Sequence, residues 1–228
     1  MIDTLVYAAL GGILPALIWL SFWLREDRKN PEPDGLVAKT FLLGMLAVLL
    51  VLPFQKGVDI LLPGTALAAL FLWAVFEEGF KLAAGYFGGL HTVEDNEPLD
   101  PLIYMITAAL GFVALENTLF LLGPLLGQDI PQSIVTGNLR FIGASLLHVV
   151  CSGLIGSSLA FSFYKSRGHK IASAGLAFLA AIVIHTAFNW FIMRWSSFGI
   201  LISFFFVWIG VIILLWTFER AKMIAPRA

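Results

Sequence analysis

Charge is what this sequence has least of. Its 228 residues carry 14 Lys and Arg against 15 Asp and Glu, 13% of the chain, where an ordinary soluble domain carries about 25%. That shortage excludes a molecule whose whole surface is solvated. A net charge of −1, with the basic residues scattered among short loops, excludes a nucleic-acid partner held by electrostatics. Cysteine is almost absent: Cys151 stands alone, so no disulfide forms within the chain. Heptads, internal repeats and low-complexity stretches are missing, and no gap between apolar blocks accommodates a large soluble domain. Apolar residues, by contrast, make up 59% of the sequence. They gather in long blocks rather than stripes, the pattern of helices that face lipid.

The blocks number seven, at about 4–24, 36–54, 65–88, 102–122, 138–163, 171–193 and 197–218, each near the roughly 20 residues that cross a bilayer as a helix. The expectation is an all-α polytopic membrane bundle of about seven transmembrane helices, one integral-membrane domain over residues 1–228. Pro53 and "QKGVD" blur the end of the second block. The first block lacks a basic leader and a small-residue cleavage site before "REDRKNPEPD", so it reads as a retained helix and not as a signal peptide. Basic residues cluster in alternate loops: Arg25, Arg28 and Lys29, then Lys165, Arg167 and Lys170, then Arg220, Lys222 and Arg227. The other set holds Lys56, Arg140 and Arg194. That asymmetry predicts the N-terminus outside and the C-terminus in the cytoplasm.

Against this background the ionisable residues inside the blocks stand out. The third block holds Glu77, Glu78 and Lys81, the fourth Glu116 beside Asn117, the fifth His148, and the sixth His185 with Asn189. Each charged residue at a helix centre costs roughly 2.5–3.5 kcal/mol to insert, so something must compensate. Glu77 and Lys81 are four apart in the order that favours a same-face ion pair, which leaves Glu78 turned about 100° away. His148 with Ser152 and His185 with Asn189 repeat the four-residue spacing. Counted at about 1.5 Å per residue, Glu77, His148, His185 and Glu116 lie about 12, 10, 8 and 6 residues from the outer ends of their helices. Those depths permit one shared site in the outer half of the bilayer. Read singly, each has a plainer role: structural ion pair, interhelical hydrogen bond, or close packing for Cys151 and for Gly85 with Gly89. Together they supply a general base, proton shuttles and oxyanion donors, the requirements of hydrolysis.

Further absences narrow the chemistry. No HExxH, no GxSxG and no Asp within a span occurs. These remove the zincin helix pair, the serine nucleophile elbow and an intramembrane aspartyl dyad. A carboxylate-and-histidine site remains, with or without a metal.

The segments "EEGFK", "FVALEN", "HVVCS" and "HTAFN", in that order on successive helices, resemble the motifs of the PrsW family of intramembrane proteases. That family is related to the Abi/CAAX-prenyl protease superfamily. The motif-bearing core covers about residues 70–192, and "EPLDPLIYMITAALGFVALENTLF", with Asp100, resembles the family's stretch between its first two motifs. The resemblance implies cleavage of a membrane-anchored protein of the anti-sigma-factor type, on the extracytoplasmic side of a bacterial cytoplasmic membrane. In the CAAX-protease relatives the first Glu of the pair works with a His to activate water, and a His–Asn pair supports the oxyanion. This chain departs from them in having Lys81 in place of an Arg, one residue nearer the pair, and Glu116 where they have a His.

The expected catalytic set is therefore Glu77, Glu78, Glu116, His148, His185 and Asn189, supported by Lys81, Asn117 and Ser152. A metal-free reaction is preferred, with Glu77 as general base. In the zinc alternative Glu116, His148 and His185 hold the ion and Glu77 remains the base. A proton-coupled transporter is the rival reading, since it also needs buried Glu, His and Lys. It is weakened by the lack of inverted repeats and of broken helices at the site. A non-catalytic scaffold is the third reading.

Overall fold

The computed structural model describes residues 2–62 and 66–225, with Ser196 and Ser197 described by their backbone alone. Arg227, counted in the orientation, and residue 65, where the sequence sets the start of the third block, lie outside the described residues. Among the described residues there are eight α-helices. They are α1 (Ile2–Trp23), prolonged by a 3-10 turn Leu24–Asp27, then α2 (Asp34–Leu61) and α3 (Leu67–Gly85), which runs into a π-helical turn Tyr86–Leu90. After α4 (Asp100–Leu126), α5 (Ile130–Leu139) and α6 (Ser145–Phe161) are joined into one rod by a π-helical turn Arg140–Ala144. The chain ends in α7 (Arg167–Arg194) and α8 (Ser196–Ala221).

Six helical stretches among the described residues are long and apolar enough to cross a membrane: Ile2–Asp27, Asp34–Leu61, Asp100–Leu126, Ile130–Phe161, Arg167–Arg194 and Phe198–Ala221. The helix left out is α3, whose middle carries Glu77, Glu78 and Lys81. Two boundaries differ from the sequence reading. α2 does not stop at Pro53 but continues to Leu61; a proline is tolerated inside a membrane helix where neighbours satisfy the freed backbone groups. The fifth block begins earlier, at Ile130, because Asp129 caps the helix by accepting from the Gln132 N–H at 2.9 Å. Pro131 then sits in the first turn, where its missing N–H is not needed.

α4 is the axis of the bundle. Every residue from Asp100 to Ala114 is buried, as expected of a helix that is apolar all round. It packs against α1, α2 and α6. Lipid is as apolar as leucine, so close backbone approach rather than the hydrophobic effect holds such helices together. A Cβ on Gly44 or Gly111 would strike the carbonyl oxygens of Ala108 and Phe41 respectively, and one on Gly12 would lie 2.6 Å from the Ala114 carbonyl. Gly85 and Gly89 instead make room for side chains of α4, the Met105 sulfur and the Tyr104 ring. Outward faces of α7 and α8, with Leu176, Leu179, Leu201, Phe205 and Ile212, stay exposed to the surroundings. Lys222 bonds Glu26 at 2.7 Å, tying the end of α8 to the end of α1.

Candidate active site

α3 can carry three charges because α2, α6 and α7 bring polar partners to them. Glu77 is 5% exposed, and Glu78 and Lys81 are fully buried. Lys81 donates to Glu78 Oε1 at 2.6 Å and to His148 Nδ1 at 2.8 Å. The lysine therefore pairs with the carboxylate three residues before it and not with Glu77, as the four-residue spacing suggested. Positions three and four apart are both neighbours on a helix, and the location of His148 on α6 decides between them. Glu77 instead takes a hydrogen bond from Gln55 Nε2 of α2 at 2.7 Å.

From this start a chain of polar contacts crosses the bundle. His185 of α7 meets Glu78 Oε1 through Nδ1 at 2.7 Å, and its Nε2 lies 3.5 Å from Glu77 Oε2. The rings of His148 and His185 meet edge to face, with centroids 4.9 Å apart. His148 Nε2 is 3.3 Å from Glu116 Oε2 of α4. Arg140, the first residue of the π-helical turn, donates to Glu116 and to the Asn117 side-chain oxygen. Asn117 in turn donates to Ser145 Oγ at 3.1 Å. Phe112, one turn before Glu116, places its ring 5.5 Å from the Lys81 ammonium.

Glu77, Glu78, Lys81, Glu116, Asn117, His148 and His185 thus share one network. Asn189 and Ser152 do not join it: Asn189 is half-buried and makes no hydrogen bond among the described residues, and the buried Ser152 hydroxyl has no partner. Arg140 and Gln55 belong to the network although the sequence reading assigned neither. Arg140 had been counted as an outer-loop charge, yet it falls within the block 138–163. Gln55 lay just past the second block, in the stretch where Pro53 and "QKGVD" blurred its end.

Most of the polar atoms are balanced, but two carboxylate oxygens, Glu77 Oε2 and Glu78 Oε2, are buried without a partner. If the His185 Nδ1–H donates to Glu78, its Nε2 lone pair is left 3.5 Å from the unpartnered Glu77 Oε2. Glu77, His148 and His185 each offer a ligand atom within 4.8 Å of the others, a nitrogen-and-oxygen donor set of the kind found at catalytic zinc. Two ligands about 2.0–2.1 Å from a tetrahedral zinc stand about 3.4 Å apart, close to the His185–Glu77 separation. The spacing of the donor atoms therefore suits a metal, with Glu77 in the place the sequence reading gave to Glu116, although Lys81 occupies His148 Nδ1. Glu116 is drawn off by Arg140.

An apolar groove of about 980 Å³ opens between α3 and α7, lined by Leu67, Phe71, Leu72, Val183, Thr186 and Trp190. Thr186 follows His185 directly.

The chain is similar to known proteins along most of its length. The model of the family described as PrsW family intramembrane metalloprotease matches residues 32–217. Protease PrsW of Halalkalibacterium halodurans is 25% identical over 211 residues, covering 90% of each chain. Protease PrsW of Oceanobacillus iheyensis is 27% identical over 206 residues, 90% of this chain and 91% of that one. Protease PrsW of Bacillus subtilis is 24% identical over 210 residues, 88% and 91% of the two chains. No solved structure matches.

Proposed function

This chain belongs to the PrsW family of intramembrane proteases, and from that premise we propose that it hydrolyses a peptide bond in a membrane-anchored protein. The substrate class is of the anti-sigma-factor type, cut on the extracytoplasmic side. The protein is an integral bacterial membrane protein. α3 is the seventh crossing, its charges compensated within the bundle, with the N-terminus outside. Support for that crossing comes from the chain path: Asp27 and Glu97, before and after the α2–α3 pair, lie together at one end of the bundle.

The observation that carries the proposal is the unpartnered Glu77 Oε2, facing His185 Nε2 across 3.5 Å inside a buried polar network. Glu77 takes a proton from the attacking water, held on its other oxygen by Gln55. Glu78 fixes the His185 ring through Nδ1, so that His185 Nε2 accepts from the water, then takes the proton from Glu77 across the 3.5 Å gap and passes it to the leaving amine. Lys81 keeps Glu78 ionised and lends positive charge to the region where the oxyanion forms. His148, between Lys81 and Glu116, connects the site to Arg140, the more exposed edge of the network. Asn189, one turn along α7 from His185, is free to donate to a substrate carbonyl. The α3–α7 groove is the lateral entry for the substrate's apolar segment. Replacing Glu77 with Gln removes the base and keeps the Gln55 contact; cleavage of a co-expressed single-span substrate falls about 10²–10⁴-fold while the protein still inserts and folds. Full cleavage by that variant sinks the assignment.

A second reading, a metal held by Glu77, His148 and His185, is favoured by their 4.8 Å convergence and by the family description. Bound there, a metal polarises the water and the scissile carbonyl. The metal-free reading is preferred on one contact: Lys81 donates to His148 Nδ1, so the remaining ring nitrogen carries the proton and has no lone pair for a ligand bond. Elemental analysis of protein purified without added metal separates the two. A stoichiometric transition metal that is lost in Glu77→Gln establishes the second.

A further inference from the structure

At the opposite end of α4 a second group of buried acids gathers, unrelated to the motifs above. Asp27 closes the 3-10 turn after α1, Glu32 lies in the link to α2, Glu97 in the loop before α4, and Asp100 opens α4. Asp100 is separated from Glu116 by about 24 Å along the helix at about 1.5 Å per residue.

Asp27 is 2% exposed and Asp100 fully buried. Both Asp27 carboxylate oxygens and Asp100 Oδ1 have no hydrogen-bond partner. Asp100 Oδ2 is already used, taking the N–H groups of Asn96 and Glu97 at 2.7 Å each. Tyr104 donates to Glu32 Oε2, and Glu32 lies within hydrogen-bond reach of Asp100. No lysine or arginine forms an ion pair with any of the four among the described residues.

Oxygens of Asp27, Glu97 and Asp100 all lie within 4.8 Å of one another. Three oxygens no more than 4.8 Å from one another lie within about 2.8 Å of a common centre, so one hard cation with ligands at about 2.3–2.6 Å needs a side-chain adjustment of a few tenths of an ångström to reach all three. We propose that Asp27, Glu97 and Asp100, with Glu32 beside them, bind a divalent cation of the Ca²⁺/Mg²⁺ class. The oxygen-only donor set disfavours zinc and copper. The ion fastens the end of α1, the α3–α4 loop and the start of α4 together, at the end of the bundle away from the proposed peptidase centre.

The test uses the full chain in detergent, stripped with a chelator and titrated separately with Ca²⁺ and Mg²⁺. Thermal unfolding is followed alongside Tb³⁺ luminescence sensitised through Tyr104 and Trp23. At about a hundredfold excess over the dissociation constant the midpoint rises by about 5–10 °C, and whichever ion gives the larger rise is the better fit. Asp27→Asn with Glu97→Gln abolishes both the rise and the luminescence, whereas Glu77→Gln retains them, which keeps this site distinct from any metal near His185. Glu97 is half-buried in a loop, so Glu97→Gln alone provides a folded variant with weakened response. Absence of a rise and of luminescence in the unaltered protein, or an equal response in the double variant, overturns the proposal and leaves the acids sharing protons instead.

Discussion

The two buried polar clusters make an instructive pair. Around α3 the carboxylates of Glu77, Glu78 and Glu116 are met by Lys81, Arg140, Gln55 and two histidines. At the far end of α4, Asp27, Glu32, Glu97 and Asp100 meet one tyrosine hydroxyl and two backbone N–H groups. The first cluster contains its own counter-charges and keeps a small deficit at Glu77, the residue proposed above as the base. The second has no cation of its own, so neutrality there must come from protons or from an added ion. Internal compensation preorganises chemistry; its absence makes a receptor for something external.

The sharpest way to break this contrast is to remove a positive partner from one cluster and a negative one from the other. Lys81→Met leaves Glu78 buried with only His185 for support, and costs about 3–5 kcal/mol, read as loss of inserted protein or as a fall in unfolding midpoint. Combining it with Glu78→Gln recovers most of that loss, because the orphaned charge is gone. Asp27→Asn in chelator orphans no partner and leaves the midpoint unchanged or raised. A loss as large as that of Lys81→Met would erase the distinction. The smallest expected effect is at Gln55. Its replacement by Leu removes one hydrogen bond to a carboxylate, worth about 1.5 kcal/mol, and lowers cleavage about tenfold with little change in unfolding.

Much of this was legible before any coordinates, and the parts that were not have particular reasons. Glu77, Glu116, His148 and His185 announced themselves because charge inside an apolar block is expensive and rare. Helical period alone could not choose between Glu77 and Glu78 as the partner of Lys81; the choice depends on where α6 puts His148, which is tertiary information. Pro53 looked like an end because proline stops helices in water, and inside this bundle it does not, so Gln55 went unnoticed. Arg140 was read as a loop charge because an arginine near the edge of an apolar block is usually interfacial. The acidic cluster hid for a different reason: its members fall in three separate loops and helix ends, each an ordinary place for Asp or Glu.

The wider turn at Arg140–Ala144 has a mechanical meaning. A π-helical turn holds one residue more than the α-helical path it replaces, and one residue is worth about 100° of rotation about the axis. Everything on α6 is therefore aimed by that surplus residue. Delete it, and the imidazole of His148 swings from Lys81 and Glu116 toward another face, with every hydrophobic neighbour rotated alongside. The bearing of one side chain has been set by insertion, upstream of the residue it points.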